Sequence, residues 1–211
     1  MASILERIVS SLYDGEDEEV ASLVQAALDQ GMSPAEILQN GLVAGMDQVG
    51  RDFKAGDLYV PEVLIAARAM HAGMAILRPL LAATEAPSAG KFLIGTVKGD
   101  LHDIGKNLVR MMMEGAGFDA IDLGTDVTSE GFVEAVREHQ PVLLGMSALL
   151  TTTMVQMKAT IDALVEAGVR DSIKIMIGGA PVTAEYAGRI GADAYAPDAA
   201  SAVDIARGLV R

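Results

Sequence analysis

Phe92-Leu93-Ile94-Gly95-Thr96-Val97, then Gly99-Asp100-Leu101-His102-Asp103-Ile104-Gly105-Lys106, then Asn107-Leu108-Val109-Arg110-Met111-Met112-Met113: this stretch decides the fold of the second half of the chain. The first segment is a short apolar run of the kind buried in a sheet, and the third reads as a helix. Between them lies a loop with one histidine and a carboxylate two residues before it. A carboxylate that accepts one ring N–H of a histidine fixes the tautomer and leaves the other nitrogen free for a metal. The plainer reading is a loop histidine that caps the helix or pairs with a nearby acid, and an isolated Asp-x-His favours that reading.

Outward from this unit, strands and helices alternate to the C-terminus. Strands are expected at Phe92–Val97, Phe118–Leu123, Val142–Ser147, Ile173–Gly178 and Ala192–Ala196. Helices are expected at Lys106–Gly115, Ser129–Glu138, Thr153–Ala167, Thr183–Ile190 and Ala199–Leu209. Apolar strands alternating with helices imply an α/β fold whose parallel sheet is covered on both faces. Five units fit a flavodoxin/Rossmann-like strand order of 2-1-3-4-5, with ligands beyond the carboxyl ends of strands 1 and 3. The loops at that end carry Asp100 and His102, then Ser147 to Thr153, then Gly178-Gly179-Ala180-Pro181, then Tyr195-Ala196-Pro197-Asp198. Small residues there let backbone approach a ligand. Thr153 reads equally well as an ordinary helix cap or as a functional hydroxyl.

Toward the N-terminus the pattern is helical. Ile4, Leu5, Ile8, Val9 and Leu12 recur at helical spacing, as do Val20, Leu23, Val24, Ala27 and Leu28 up to Gly31. Ser33-Pro34-Ala35-Glu36 has capping-box spacing, and a third helix runs from it to about Gly56. A fourth starts at Tyr59-Val60-Pro61-Glu62. Four amphipathic helices with short connections imply a four-helix bundle. Glu85–Gly90 reads as a linker, dividing the chain into residues 1–88 and 89–211. His71 reads as a partly exposed helix histidine, and His139 suits the end of a helix.

Composition narrows the classes. Of 211 residues, 51% are hydrophobic but only 4% aromatic, so the core rests on aliphatic side chains. There is no Cys, which excludes disulfides and thiolate catalysis within this chain. The formal net charge of −13 falls on both halves and leaves no basic face for nucleic acid. No basic-then-apolar leader and no apolar run of membrane-spanning length stand out, so a cytoplasmic location is expected.

The spacing Asp100-x-His102-x-x-Gly105, then Ser147-x-Leu149, then Gly178-Gly179 resembles the signature of the cobalamin-binding domains. The helical part, with Tyr59-Val60-Pro61, is similar to the cap that precedes that domain in cobalamin-dependent methionine synthase and in small corrinoid methyl-carrier proteins. The resemblance implies that His102 is the lower axial ligand of cobalt and that Asp100 holds its far nitrogen. Thr153 stands where methionine synthase has a serine that continues the relay. It implies that Leu101, Asp103, Ile104 and Gly105 surround the ligand. It also implies that Ser147, Leu149, Thr151, Gly178 and Gly179 line the slot for the displaced nucleotide tail, that Ala180 binds the cofactor, and that Ala196, Pro197 and Asp198 lie near the tail's base. Tyr59, Val63 and Met70 are implied at the upper face.

On the same resemblance, the chain is a methyl shuttle between a donor-specific methyltransferase and a methyltransferase acting on a thiol or tetrahydrofolate. A reductive activator protein would restore oxidised cobalt. The chain would be a subunit of such a system rather than a complete enzyme. A small subunit of an adenosylcobalamin mutase and a cobalamin-dependent sensor remain alternatives. So does a chain with the fold and no cofactor.

Overall fold

Ser3 opens the first helix with a reciprocal cap: its hydroxyl accepts the Glu6 N–H at 3.2 Å, and the Glu6 carboxylate accepts the Ser3 N–H at 2.7 Å. Helix α1 (Ile4–Tyr13) then leads to α2 (Asp17–Asp29), whose first turn carries Asp17, Glu18 and Glu19 at the positive end of its dipole. The computed structural model describes residues 2–83 and 89–210. Ser33 caps α3 (Pro34–Ile37), with its hydroxyl accepting the Glu36 N–H at 3.2 Å.

The third rod is not a plain α-helix. From α3 it passes through a π-helical stretch, Leu38–Val43, into α4 (Ala44–Ala55), which ends at the left-handed Gly56. Gly41 and Gly45 give α1 its close approach: a Cβ there would lie 3.1 Å from Ile8 and 3.0 Å from Leu12. Helix α5 (Val60–Ala83) completes four rods. Contrary to the expectation from sequence, Val60–Leu81 is long and apolar enough to cross a membrane by length and composition. Within the helical unit α5 packs on α2 and the third rod, so closely that a Cβ on Gly73 would fall 2.8 Å from Leu42 and 3.3 Å from Val20.

The chain divides into two compact units, Met1–Ser88 with Gly115–Gly117, and Ala89–Glu114 with Phe118–Arg211. The expected linker at 85–90 lies outside the described residues except for Ala89 and Gly90.

The second unit is a five-stranded parallel sheet in the order β2-β1-β3-β4-β5. Its strands are β1 (Lys91–Thr96), β2 (Asp119–Asp122), β3 (Leu143–Ser147), β4 (Lys174–Gly178) and β5 (Ala194–Ala196). Helices α6 (Ile104–Gly115), α7 (Ser129–His139), α8 (Val155–Glu166), α9 (Ala184–Ile190) and α10 (Ala199–Leu209) follow them in turn. The central strands are buried almost throughout, which is why they read as unbroken apolar runs. Leu93, Leu144, Ile175 and Ile177 join Phe132 of α7 and Met157, Ile161 and Leu164 of α8 in one core. Each such side chain contributes about 1.5–3 kcal/mol by leaving water.

Two glycines inside strands are there for neighbours. A Cβ on Gly95 would lie 2.9 Å from the Phe132 ring, and one on Gly145 would lie 2.8 Å from the Phe92 ring. His139 ends α7, and its carbonyl accepts the Lys91 ammonium at 3.1 Å. His71 is exposed on α5.

Candidate functional site

The chain leaves β1 toward β2 on one side and leaves β3 toward β4 on the other. The crevice for a ligand therefore opens where the loops after β1 and β3 part. Asp100 bridges that point. It is fully buried and its two oxygens take four hydrogen bonds. Oδ1 accepts the His102 backbone N–H at 3.1 Å and lies 2.7 Å from His102 Nδ1. Oδ2 accepts the Leu149 N–H at 2.8 Å and the Thr153 hydroxyl at 2.6 Å.

Burial pushes the Asp100 carboxyl up. The hydrogen bonds from Thr153, Leu149 and His102 outweigh it and hold the group well below the usual carboxylate range. An ionised carboxylate can only accept, so Nδ1 of His102 carries the proton. In the neutral ring the lone pair is then on Nε2.

The ring of His102 is half exposed, with 52% of its side chain in water, although its partner has none. Its backbone is tied as well: the buried Thr96 hydroxyl donates to the His102 carbonyl at 2.8 Å. Thr153 does not cap α8. Its hydroxyl is shared between Asp100 and the Leu150 carbonyl at 3.0 Å, and the helix begins after Met154 without a side-chain cap.

The loops after β1 and β3 expose aliphatic side chains. Leu101 is 73% exposed and Ile104 79%, and Leu149 and Leu150 are each 42% exposed on the facing loop. Gly105 has open space where a Cβ would stand. Across the sheet, Thr96, Ser147, Gly178 and Ala196 are aligned in register and form a row of small residues. The Gly-Gly pair is set by backbone against backbone. A Cβ on Gly179, which has φ +125°, would lie 1.8 Å from the Ala148 carbonyl oxygen, and one on Gly178 would lie 3.0 Å from the Ala196 carbonyl oxygen.

The other residues singled out in the sequence are spread more widely. Asp103 accepts from Asn107 Nδ2 at 3.1 Å. Thr151 and Ala180 are exposed loop residues, as is Pro197. Asp198 caps α10, its oxygens taking the Ser201 N–H at 2.7 Å and the Ser201 hydroxyl at 2.8 Å. Tyr59 is 68% exposed, whereas Val63 and Met70 on α5 are buried.

Sequence reasoning missed two groups beside the loop. Lys106 is buried and its ammonium sits 2.5 Å from both oxygens of Asp122 at the end of β2, pinning the first turn of α6 to the sheet. Burial pushes the Asp122 carboxyl up, but Lys106 and the Gly124 N–H bring it below its ordinary value. Asp126, on the loop after β2, accepts the Gly99 N–H at 2.7 Å. No sequence motif marks Asp122 as a partner of Lys106 or Asp126 as a partner of the Gly99 amide.

The donor set fits a macrocycle-bound metal. His102 offers one nitrogen, and among the described residues no three His, Asp or Glu side chains converge to complete a coordination sphere. A metal held here would need its remaining donors from a bound group, as a macrocycle supplies them, and exposed aliphatic side chains suit the body of such a ring.

Comparison with known proteins gives the same chemistry. Residues 90–204 match the model of a B12 binding domain, and residues 4–78 match a second B12 binding domain model. The chain is 42% identical to a corrinoid protein of Desulfitobacterium hafniense, over 99% of this chain and 98% of that one. It is 41% identical to trimethylamine corrinoid protein 1 of Methanosarcina acetivorans, covering 98% and 97%. Among solved structures it is similar to the methanol:cobalamin methyltransferase complex MtaBC of Methanosarcina barkeri. The TM-score there is 0.88 at 31% identity, over 98% of this chain and 79% of that one.

Proposed function

From the premise that this chain belongs to the B12-binding family of corrinoid proteins, we propose that it carries a methyl group on a bound corrinoid between two methyltransferases. A bound corrinoid would supply the methyl-transfer chemistry, and the protein would supply its binding and orientation. The observation that carries the reading is the half-exposed His102 ring whose Nδ1 proton is held by the fully buried Asp100. Nε2 would hold the metal. Asp100 orients the ring, and Thr153 and the Leu149 amide orient Asp100.

Leu101, Ile104 and Leu149 would exclude water beside the ligand once it is bound. The row Ser147, Gly178 and Ala196, with Asp103, Gly105, Thr151, Gly179, Ala180, Pro197 and Asp198, would accommodate the rest of the cofactor. We assign residues 1–88 the role of a cap and residues 89–211 that of the cofactor-binding domain. In the cap, Tyr59 has exposed surface to offer; Val63 and Met70 would support it from within.

The likeness to a trimethylamine corrinoid protein supports a methylated amine as the first substrate class, and a thiol or tetrahydrofolate would accept the group. A reductive activator would serve the oxidised form.

Loading the apo-protein with hydroxocobalamin and reducing it to the paramagnetic state tests the ligand. Splitting by one nitrogen should change from three lines to two when the histidines are 15N-labelled, and should vanish in His102→Ala. Unchanged splitting would show that the axial nitrogen comes from the cofactor itself. Methyl transfer with purified partner methyltransferases, trimethylamine against methanol, tests the donor.

A further inference from the structure

The histidine loop is gripped by a neighbouring loop. The loop after β2 runs alongside the end of β1. The Thr96 N–H donates to the Gly124 carbonyl at 3.0 Å, the Val127 N–H donates to the Thr96 carbonyl at 3.0 Å, and Val97 and Val127 form a parallel bridge. At its tip, Asp126 makes two contacts with the residues just before His102. Its carboxylate Oδ1 accepts the Gly99 N–H at 2.7 Å, and its own N–H donates to the Asp100 carbonyl at 3.0 Å.

To do both, Asp126 adopts a left-handed backbone with φ +56°. Asp tolerates this region better than most residues, and the conformation is held by its surroundings. The side chain of Asp126 is exposed, so it adds little to the core. What it fixes are the two peptides that flank the Gly99–Asp100 bond, Lys98–Gly99 through its N–H and Asp100–Leu101 through its carbonyl, and so the base from which the Asp100 carboxylate is aimed at His102 Nδ1. The four bonds at that carboxylate need it placed within a few tenths of an ångström.

We propose that Asp126 is a positioning residue for the axial histidine, setting the orientation of the His102 ring through the Gly99–Asp100 backbone. Its two hydrogen bonds go to backbone groups of Gly99 and Asp100. The inference rests on the reading of His102 as the metal ligand, but its first test does not.

Apo-protein labelled with 15N is compared as wild type, Asp126→Asn, Asp126→Gly and Asp126→Ala. Asn keeps an oxygen acceptor and the tolerance for a left-handed backbone. Gly keeps the backbone and loses the acceptor, and Ala loses both. Asp126→Asn should keep the wild-type ring 15N shifts of His102, with Nδ1 protonated, and the slow exchange of the Gly99 amide. In Asp126→Gly and Asp126→Ala the Gly99 amide should exchange about tenfold faster, as expected for loss of roughly one hydrogen bond. Their His102 ring shifts should move toward a mixture of tautomers, with far-ultraviolet circular dichroism unchanged. After loading with hydroxocobalamin and reduction, the fraction showing protein-histidine splitting should fall severalfold in those two and hold in Asp126→Asn.

A wild-type His102 ring signature in Asp126→Gly overturns the proposal. So does an Asp126→Asn variant that behaves as Asp126→Ala does. If loaded wild type shows no histidine-derived splitting, it is the axial-ligand reading that fails, and the apo ring shifts still decide the role of Asp126.

Discussion

The loops after β1 and after β4 meet the same edge of the sheet but are held in opposite ways. The first is held by saturation: Asp100 is buried, ionised and bonded four times, and the ring it aims stays half in water. The second is held by the absence of side chains, since Gly178 and Gly179 lie directly against the carbonyls of Ala148 and Ala196. The difference teaches that one end of the crevice is chemically specified and the other sterically specified. Substitutions should therefore fail for different reasons in the two loops.

The largest effect is expected in the steric loop. Gly179→Ala puts a carbon 1.8 Å from a backbone oxygen at φ +125°, and nothing flexible can yield. It should lower stability by about 3–5 kcal/mol in urea unfolding. A loss below 1 kcal/mol would show that the loop is soft, and the contrast would break. Next comes Asp100→Asn, which presents an amide N–H₂ to groups that are all donors. It should cost about 2–3 kcal/mol and release the His102 tautomer, read from ring 15N shifts.

Acid should act on the first loop alone. Because the folded Asp100 carboxyl lies below its unfolded value, its stabilisation is complete above about pH 4 and is lost as the pH falls further. In that range the wild type should lose up to about 1.4 kcal/mol per pH unit more than Asp100→Asn does, measured by urea midpoints from pH 5 to pH 2.5. Equal slopes would remove the claim that this carboxylate is strongly stabilised. The smallest effect is Thr153→Ser, which keeps the hydroxyl and loses one buried methyl. It should cost about 1 kcal/mol and leave the His102 shifts in place, whereas Thr153→Val should move them.

Much of this was legible in the chain. Buried parallel strands announce themselves as apolar runs, and five alternating strand-helix units fit the order 2-1-3-4-5 that the sheet has. Asp100 and His102 are two residues apart, so their pairing is local and readable. Contacts from further along the chain are not. Thr153 lies 53 positions from Asp100, and its hydroxyl read equally well as a cap until the loops were brought together. Asp126 lies 27 positions from Gly99 on a loop with no motif. The π-helical stretch Leu38–Val43 was invisible because its apolar residues also fit an α-helical face; the extra residue per turn shows only in the backbone. Small residues at Gly178-Gly179 predict a close approach of backbone, and the carbonyls of Ala196 and Ala148 are the backbone groups that approach them.

The wet aliphatic side chains at the mouth of the sheet have a consequence before any methyl group is carried. Leu101, Ile104, Leu149 and Leu150 leave the freshly synthesised chain with an oily lip around one imidazole. If the corrinoid seats there, as we propose, the empty lip is the place where environment-sensitive dyes should light up and where nascent molecules should stick to one another. Cells short of the vitamin should therefore show this protein in clumps sooner than they show it inactive.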